Sequence, residues 1–296
     1  MGPAIRPGRE TRADEPDGRL ISAPGNERTK DRGLYGPDSV TWRVNRESVL
    51  LLGGARALLM QVAHPLVAAA VADHSRFRND PLRRLTRTLE MMYAITFGSA
   101  DEARASWQPI DRVHSRVEGA LTEHAGEHPA GTRYRARDPE LLLWVHGTLI
   151  DTSVRVYERY VGRFAQCEKE RYYEESKASA RLFAIPERML PRDWTAFERY
   201  VDDTAAGLRV TTDARALAEG ILHPPLAYVP RAVFDLLNLV SVGLLPEPIR
   251  RGFALSWSPG RQRLLDGSSA AIRALMPVLP AVLRFSPVAR AAERRE

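Results

Sequence analysis

The chain has 296 residues, 44% of them hydrophobic and 27% charged, with a formal charge of +6; this is ordinary globular composition with apolar material for a sizeable core. Its single cysteine, Cys167, excludes an intrachain disulfide framework and every Cys-rich zinc site. Acids and bases are interspersed and no arginine block carries interleaved aromatics, so nucleic acid is not an expected partner.

Residues 1–37 are polar and rich in Gly, Pro and charge, which predicts a flexible N-terminal arm. From Asp38 the pattern turns helical. Asp38 or Ser39 caps a predicted helix to Leu52, with Trp42, Val44 and Val49 inward, and Gly53-Gly54 interrupts it. Arg56 to Ala63 reads as a second helix. Pro65 starts a third, because its missing N–H would be unsatisfied at that position anyway. After Asn79-Asp80-Pro81, the residues Leu82, Leu85, Leu89, Met92 and Ile95 fall on one helical stripe that ends at Gly98-Ser99. Ala100 to Thr122 is predicted as one helix, and 124–134 as a loop.

Asp138-Pro139-Glu140 is a strong helix start, with a cap, a first-turn proline and an acid at the positive end of the dipole. That helix is predicted to reach Val161. Further helices are expected over 162–182, 193–208, from Thr212, and over 231–244, 247–255 and 260–276, with a frayed tail at 286–296. No period-2 run is bounded by hairpin dipeptides. The expected fold class is therefore all-α: one multi-helix domain over 38–285. No signal-peptide core and no 18-residue apolar run is visible, so a cytoplasmic location is expected.

Phosphate-loop, dinucleotide, zincin and nucleophile-elbow motifs are all absent from the chain. Three histidines stand out by context. His146 lies inside the apolar run from Leu141 to Ile150, where a ring nitrogen without a partner costs about 1–3 kcal/mol. Metal ligation or a core hydrogen bond would each answer that cost, and the residues alone leave both readings open. His64, before Pro65, reads as a cap or a pocket group, and His114 as an exposed or hydrogen-bonded residue. Arg84, Arg87 and Thr88 share a helix face by their spacing. They form either a solvated basic face or a set of donors over a cofactor.

The runs Leu50 to Pro65, Asp80 to Thr88 and Asp138 to His146 resemble the DUF2236 family, the domain shared by rubber oxygenases (latex clearing proteins) and MpaB-type oxygenases. The resemblance covers roughly residues 38–260. It implies a globin-like helical fold holding haem b, with a histidine as the proximal iron ligand and an Arg-x-x-Lys-Thr pattern on the distal side. Arg84-Leu85-Thr86-Arg87-Thr88 matches that pattern except at Arg87, where the family has lysine; a guanidinium stays charged and only donates hydrogen bonds. By helix context His146 corresponds to the metal ligand, with His64 as fallback. Arg84, Arg87 and Thr88 are the implied catalytic donors, with Arg84 also touching the cofactor, and Asp151 is a candidate base. The implied activity is a haem-dependent oxygenase acting with dioxygen on a small hydrophobic substrate, terpenoid, alkene or lipid-like. A non-catalytic binder of hydrophobic ligands that has lost the haem is the alternative. Homo-oligomers and a transient membrane-surface contact stay open.

Overall fold

Helices begin where short polar side chains can satisfy the first amide groups. The computed structural model describes residues 1–2, 33–74, 81–224 and 230–295, side chains at 81–85 and 231 excepted. Within them Ser39, Ser99, Asp138, Asp193, Thr211 and Ser258 each cap a helix by accepting a backbone N–H. The expected N-terminal arm falls almost wholly outside the described residues.

The helices are α1 (Val40–Asn45), α2 (Gly54–Ala63), α3 (Pro65–His74), α4 (Pro81–Phe97), α5 (Ala100–His114), α6 (Pro139–Tyr160) and α7 (Gln166–Leu182). They continue as α8 (Trp194–Gly207), α9 (Thr212–Leu222), α10 (Arg231–Gly243), α11 (Glu247–Gly252), α12 (Pro259–Leu275), α13 (Ala281–Arg284) and α14 (Pro287–Glu293). The architecture is all-α apart from one small antiparallel sheet, β1 (Glu118–Ala120) with β2 (Arg133–Arg135). Among the described residues no single helix is long and apolar enough to cross a membrane.

The 22-residue α6 is the axis of the molecule. Its apolar residues belong to three separate clusters. Leu141, Trp144 and Ile150 join the main core with α2, α3, α8 and α9. Leu142 and Leu143 join a second core with α4, α5 and α7. Val156 and Tyr160 join a third with α10 and α12. A helix that is apolar on several faces in this way is buried all round.

Three expectations need correction, each for a tertiary reason. The helix expected to reach Leu52 stops at Asn45 and gives way to a 3-10 helix over Ser48–Gly53. Glu47 between them is buried, and its carboxylate takes Arg284 at 2.7 Å. The helix expected to reach Thr122 ends at His114, because the chain turns to pair Glu118–Ala120 with Arg133–Arg135. Gly119 permits that pairing: a Cβ there would stand 2.4 Å from the Tyr134 hydroxyl. The expected frayed tail contains α14, whose Ala289 and Ala292 pack on Trp42 and Phe97.

Candidate functional site

The second core forms between α4, α5, α6 and α7, around Met91, Ile95, Leu142, Leu143 and Phe183. Two of the three histidines singled out by sequence reach it through aromatic contacts. His114, on the last turn of α5, is edge-on to Trp107 at 5.6 Å between ring centroids. Trp107 lies 4.7 Å from Phe183, and Phe183 lies 5.7 Å from the ring of His146. The fold thus strings His114, Trp107, Phe183 and His146 along one side of the cluster.

His146 is buried, and its Nε2 lies 3.0 Å from the Ser179 hydroxyl. Ser179 donates its own proton to the Ser176 carbonyl at 2.8 Å. Its oxygen therefore accepts from the imidazole, which makes Nε2 the protonated nitrogen. Burial lowers the ring's pKa to about 4, so the imidazole is neutral at neutral pH. Beside Ser176 and Ser179 lies a cavity of about 20 Å³ bounded also by Thr41, Asn45, Thr96 and Tyr172. A water needs about 10–15 Å³ of such space; the cavity has room for one water. His146, expected as the iron ligand, is here a core histidine with its Nε2 already engaged.

His64 sits where the chain bends by 102° between the Ser48–Ala63 segment and α3. Its Nδ1 accepts the Leu66 amide at 3.3 Å, so it caps α3. Burial and the neighbouring His128, 5.7 Å away between centroids, lower its pKa to about 4. It cannot join His146 at one group. Trp144 donates its indole N–H to the Met60 carbonyl of α2 at 3.1 Å, and two residues along a helix turn the chain by about 200°. His146 therefore points away from α2, toward α7, and His64 stands on the other side of α6.

The basic patch is divided. Arg87 is exposed and Thr88 half-buried, one turn before the buried Met91. The side chain of Arg84 lies outside the described residues. Asp151, the candidate base, is locked instead. Burial alone would raise its pKa, but Arg56, at 2.6 Å, and Arg155, at 3.0 Å, hold it below the usual carboxylate range. Arg56 is itself buried and gives its remaining donors to Thr152 and to the Leu244 carbonyl. Sequence reasoning passed over Arg56. The signal was available: one arginine in the apolar α2 and one aspartate in the apolar α6 call for each other.

No group of three His, Cys, Asp or Glu side chains able to hold a metal ion occurs among the described residues. An iron carried by a porphyrin needs only one protein ligand, so the test falls on the single histidines. His64 and His146 have donor atoms engaged in holding their own surroundings. His114 is half-buried beside the second core. Gly98 and Ser99 alone join α4 to α5, so His114 at the end of α5 lies toward the start of α4.

The helices that build the second core also carry His114 on α5 and Arg87 and Thr88 on α4. The chain belongs to the family described as ER-bound oxygenase mpaB/B'/rubber oxygenase, catalytic domain, whose model matches residues 42–279. It is similar to Uncharacterized protein Rv2237 of Mycobacterium tuberculosis and to Uncharacterized protein Mb2261 of Mycobacterium bovis. Each is 25% identical over 234 residues, covering 76% of this chain and 88% of the relative. No solved structure matches the chain.

Proposed function

We propose that this oxygenase is haem-dependent, acts with dioxygen on a small hydrophobic substrate, and holds its haem through His114. The observation that carries the reading is the second core itself, where α4, α5, α6 and α7 meet and the ring of His114 adjoins Trp107 at its edge. A bound haem would supply the activation of dioxygen. The chain's own residues supply the rest. Met91, Ile95, Leu142 and Phe183 offer an apolar wall that excludes water and favours an alkene, terpenoid or lipid-like substrate. Thr88, half-buried, would offer a hydroxyl, and Arg84, four residues earlier in the sequence, a guanidinium, as hydrogen-bond donors to an oxygen species. His146, neutral and tied to Ser179, fixes α6 against α7 beside that wall.

The absorption spectrum of the full chain, expressed with a haem precursor, tests this. A Soret band is expected in the wild type and in His146→Ala, and its loss in His114→Ala with the helical content unchanged. A band lost in His146→Ala but kept in His114→Ala would sink the ligand assignment and leave the haem. No band in the folded wild type would sink the haem reading and leave the hydrophobic-ligand binder in front.

A further inference from the structure

Away from the second core, at the other end of α6, helices α10 and α12 enclose a groove of about 510 Å³, within the roughly 300–1,000 Å³ common for small-molecule sites. Its walls are Leu236, Leu239 and Val242 from α10 and Leu264 from α12, and Trp257 closes one end. Leu236 and Leu264 are 42% and 62% exposed, a cost that a surface helix normally avoids.

The two ends of the groove differ in charge. At the Trp257 end, the close approach of α10 requires Gly243, because a Cβ there would lie 2.5 Å from the indole. The Arg250 guanidinium sits 5.3 Å from the centre of the same ring. Arg261 donates to the carbonyl of Ser256, the residue before Trp257, at 2.7 Å. Neither arginine has a carboxylate partner among the described residues. Asp235 lines the opposite end, seven residues and so roughly 10 Å back along α10 from Val242. The groove is therefore an apolar trough with the Arg261 guanidinium at one end, Arg250 stacked on the Trp257 ring behind it, and its acid at the other.

We propose that this groove is a binding site for a single anionic amphipath, an alkyl chain ending in a carboxylate, with its head at Arg261 and its chain along Leu236, Leu239 and Leu264. The site does not depend on the oxygenase reading. An uncharged chain of equal length gains the trough but not the guanidinium end. A compact anion such as phosphate gains the end but not the trough.

The test is a titration of the full chain with cis-parinaric acid, followed by its fluorescence and by competition with decanoate and decanol. Saturable binding at one site is expected, with decanoate displacing the probe at least tenfold better than decanol. Arg261→Glu and Leu264→Asp, both at exposed positions, should each weaken the probe at least tenfold while the circular dichroism stays unchanged. On the unaltered protein, decanoate should slow hydrogen exchange in α10 and α12. Equal competition by decanol, or affinities untouched by both substitutions, would overturn the proposal. So would protection that falls elsewhere, or uptake only onto phosphatidylglycerol vesicles with no saturable binding of free decanoate.

Discussion

The two faces of α6 put the same kinds of residue to opposite uses. On the face toward α2, Trp144, Asp151 and Thr152 meet Met60, Arg56 and the Leu244 carbonyl, and polar atoms there are matched one to one. On the face toward α7, His146 meets a serine whose hydroxyl is shared with a helix carbonyl, next to a cavity with room for a water. The first face is a fixed joint between α2, α6 and α10. The second borders the core where chemistry is proposed, and its polar groups are held by neutral, individually weaker bonds. A charge buried with its counter-charge fixes geometry, whereas neutral hydroxyl and imidazole groups can be rearranged at smaller cost.

The comparison breaks most visibly at Arg56. Arg56→Met leaves the Asp151 carboxylate buried with only Arg155 beside it, and removing one partner of such a pair costs about 3–5 kcal/mol. Urea unfolding at neutral pH should show that loss as a lower midpoint. Adding Asp151→Leu should recover most of it, since two apolar side chains need no counter-charge. A loss under about 1 kcal/mol for the single change would mean that the α2 face is no joint.

Much of this arrangement was legible in the chain, for local reasons. Asp138-Pro139-Glu140 specifies the start of α6, and Pro65 that of α3, because capping and proline geometry act within a few residues. The early end of α1 was not legible, since it depends on Glu47 finding Arg284 at the far end of the sequence. Nor was the end of α5, which depends on pairing with Arg133–Arg135. For the site, spacing put Arg84, Arg87 and Thr88 on one helix face, as a solvated face or as donors; the structure has Arg87 exposed and Thr88 half-buried. The apolar run around His146 left ligation and a core hydrogen bond both open, and the resemblance made it the expected ligand; the serine beside its Nε2 comes from α7, 33 residues on.

The face toward α7 should also announce itself through pH. Burial lowers the His146 pKa to about 4, and that of His64 to a similar value. A lowered folded-state pKa means that, below about pH 6.5, the unfolded chain takes up protons the folded chain refuses. Stability is therefore full above pH 6.5 and falls as pH drops toward 4, by up to roughly 3 kcal/mol for each such histidine. Unfolding free energies at pH 7.5 and 4.5 should differ accordingly, and His146→Gln should remove about half of the difference between them. An unchanged slope in that variant would show that His146 titrates normally and is not buried as described.

The smallest change separates the two roles open to His146. Ser179→Ala deletes the acceptor of the Nε2 proton and should cost about 1–2 kcal/mol, the usual penalty for a buried donor left without a partner. If haem binds through His114 as proposed, the Soret band should be untouched. Were His146 instead the axial ligand in the haem-loaded protein, its Nε2 would already have left Ser179. The same substitution would then cost the loaded protein almost nothing while still destabilising the haem-free one. Comparing the unfolding midpoint of Ser179→Ala with and without haem therefore reads the imidazole's partner directly: an equal loss in both forms keeps His146 in the core, and a loss confined to the haem-free form moves it to the metal.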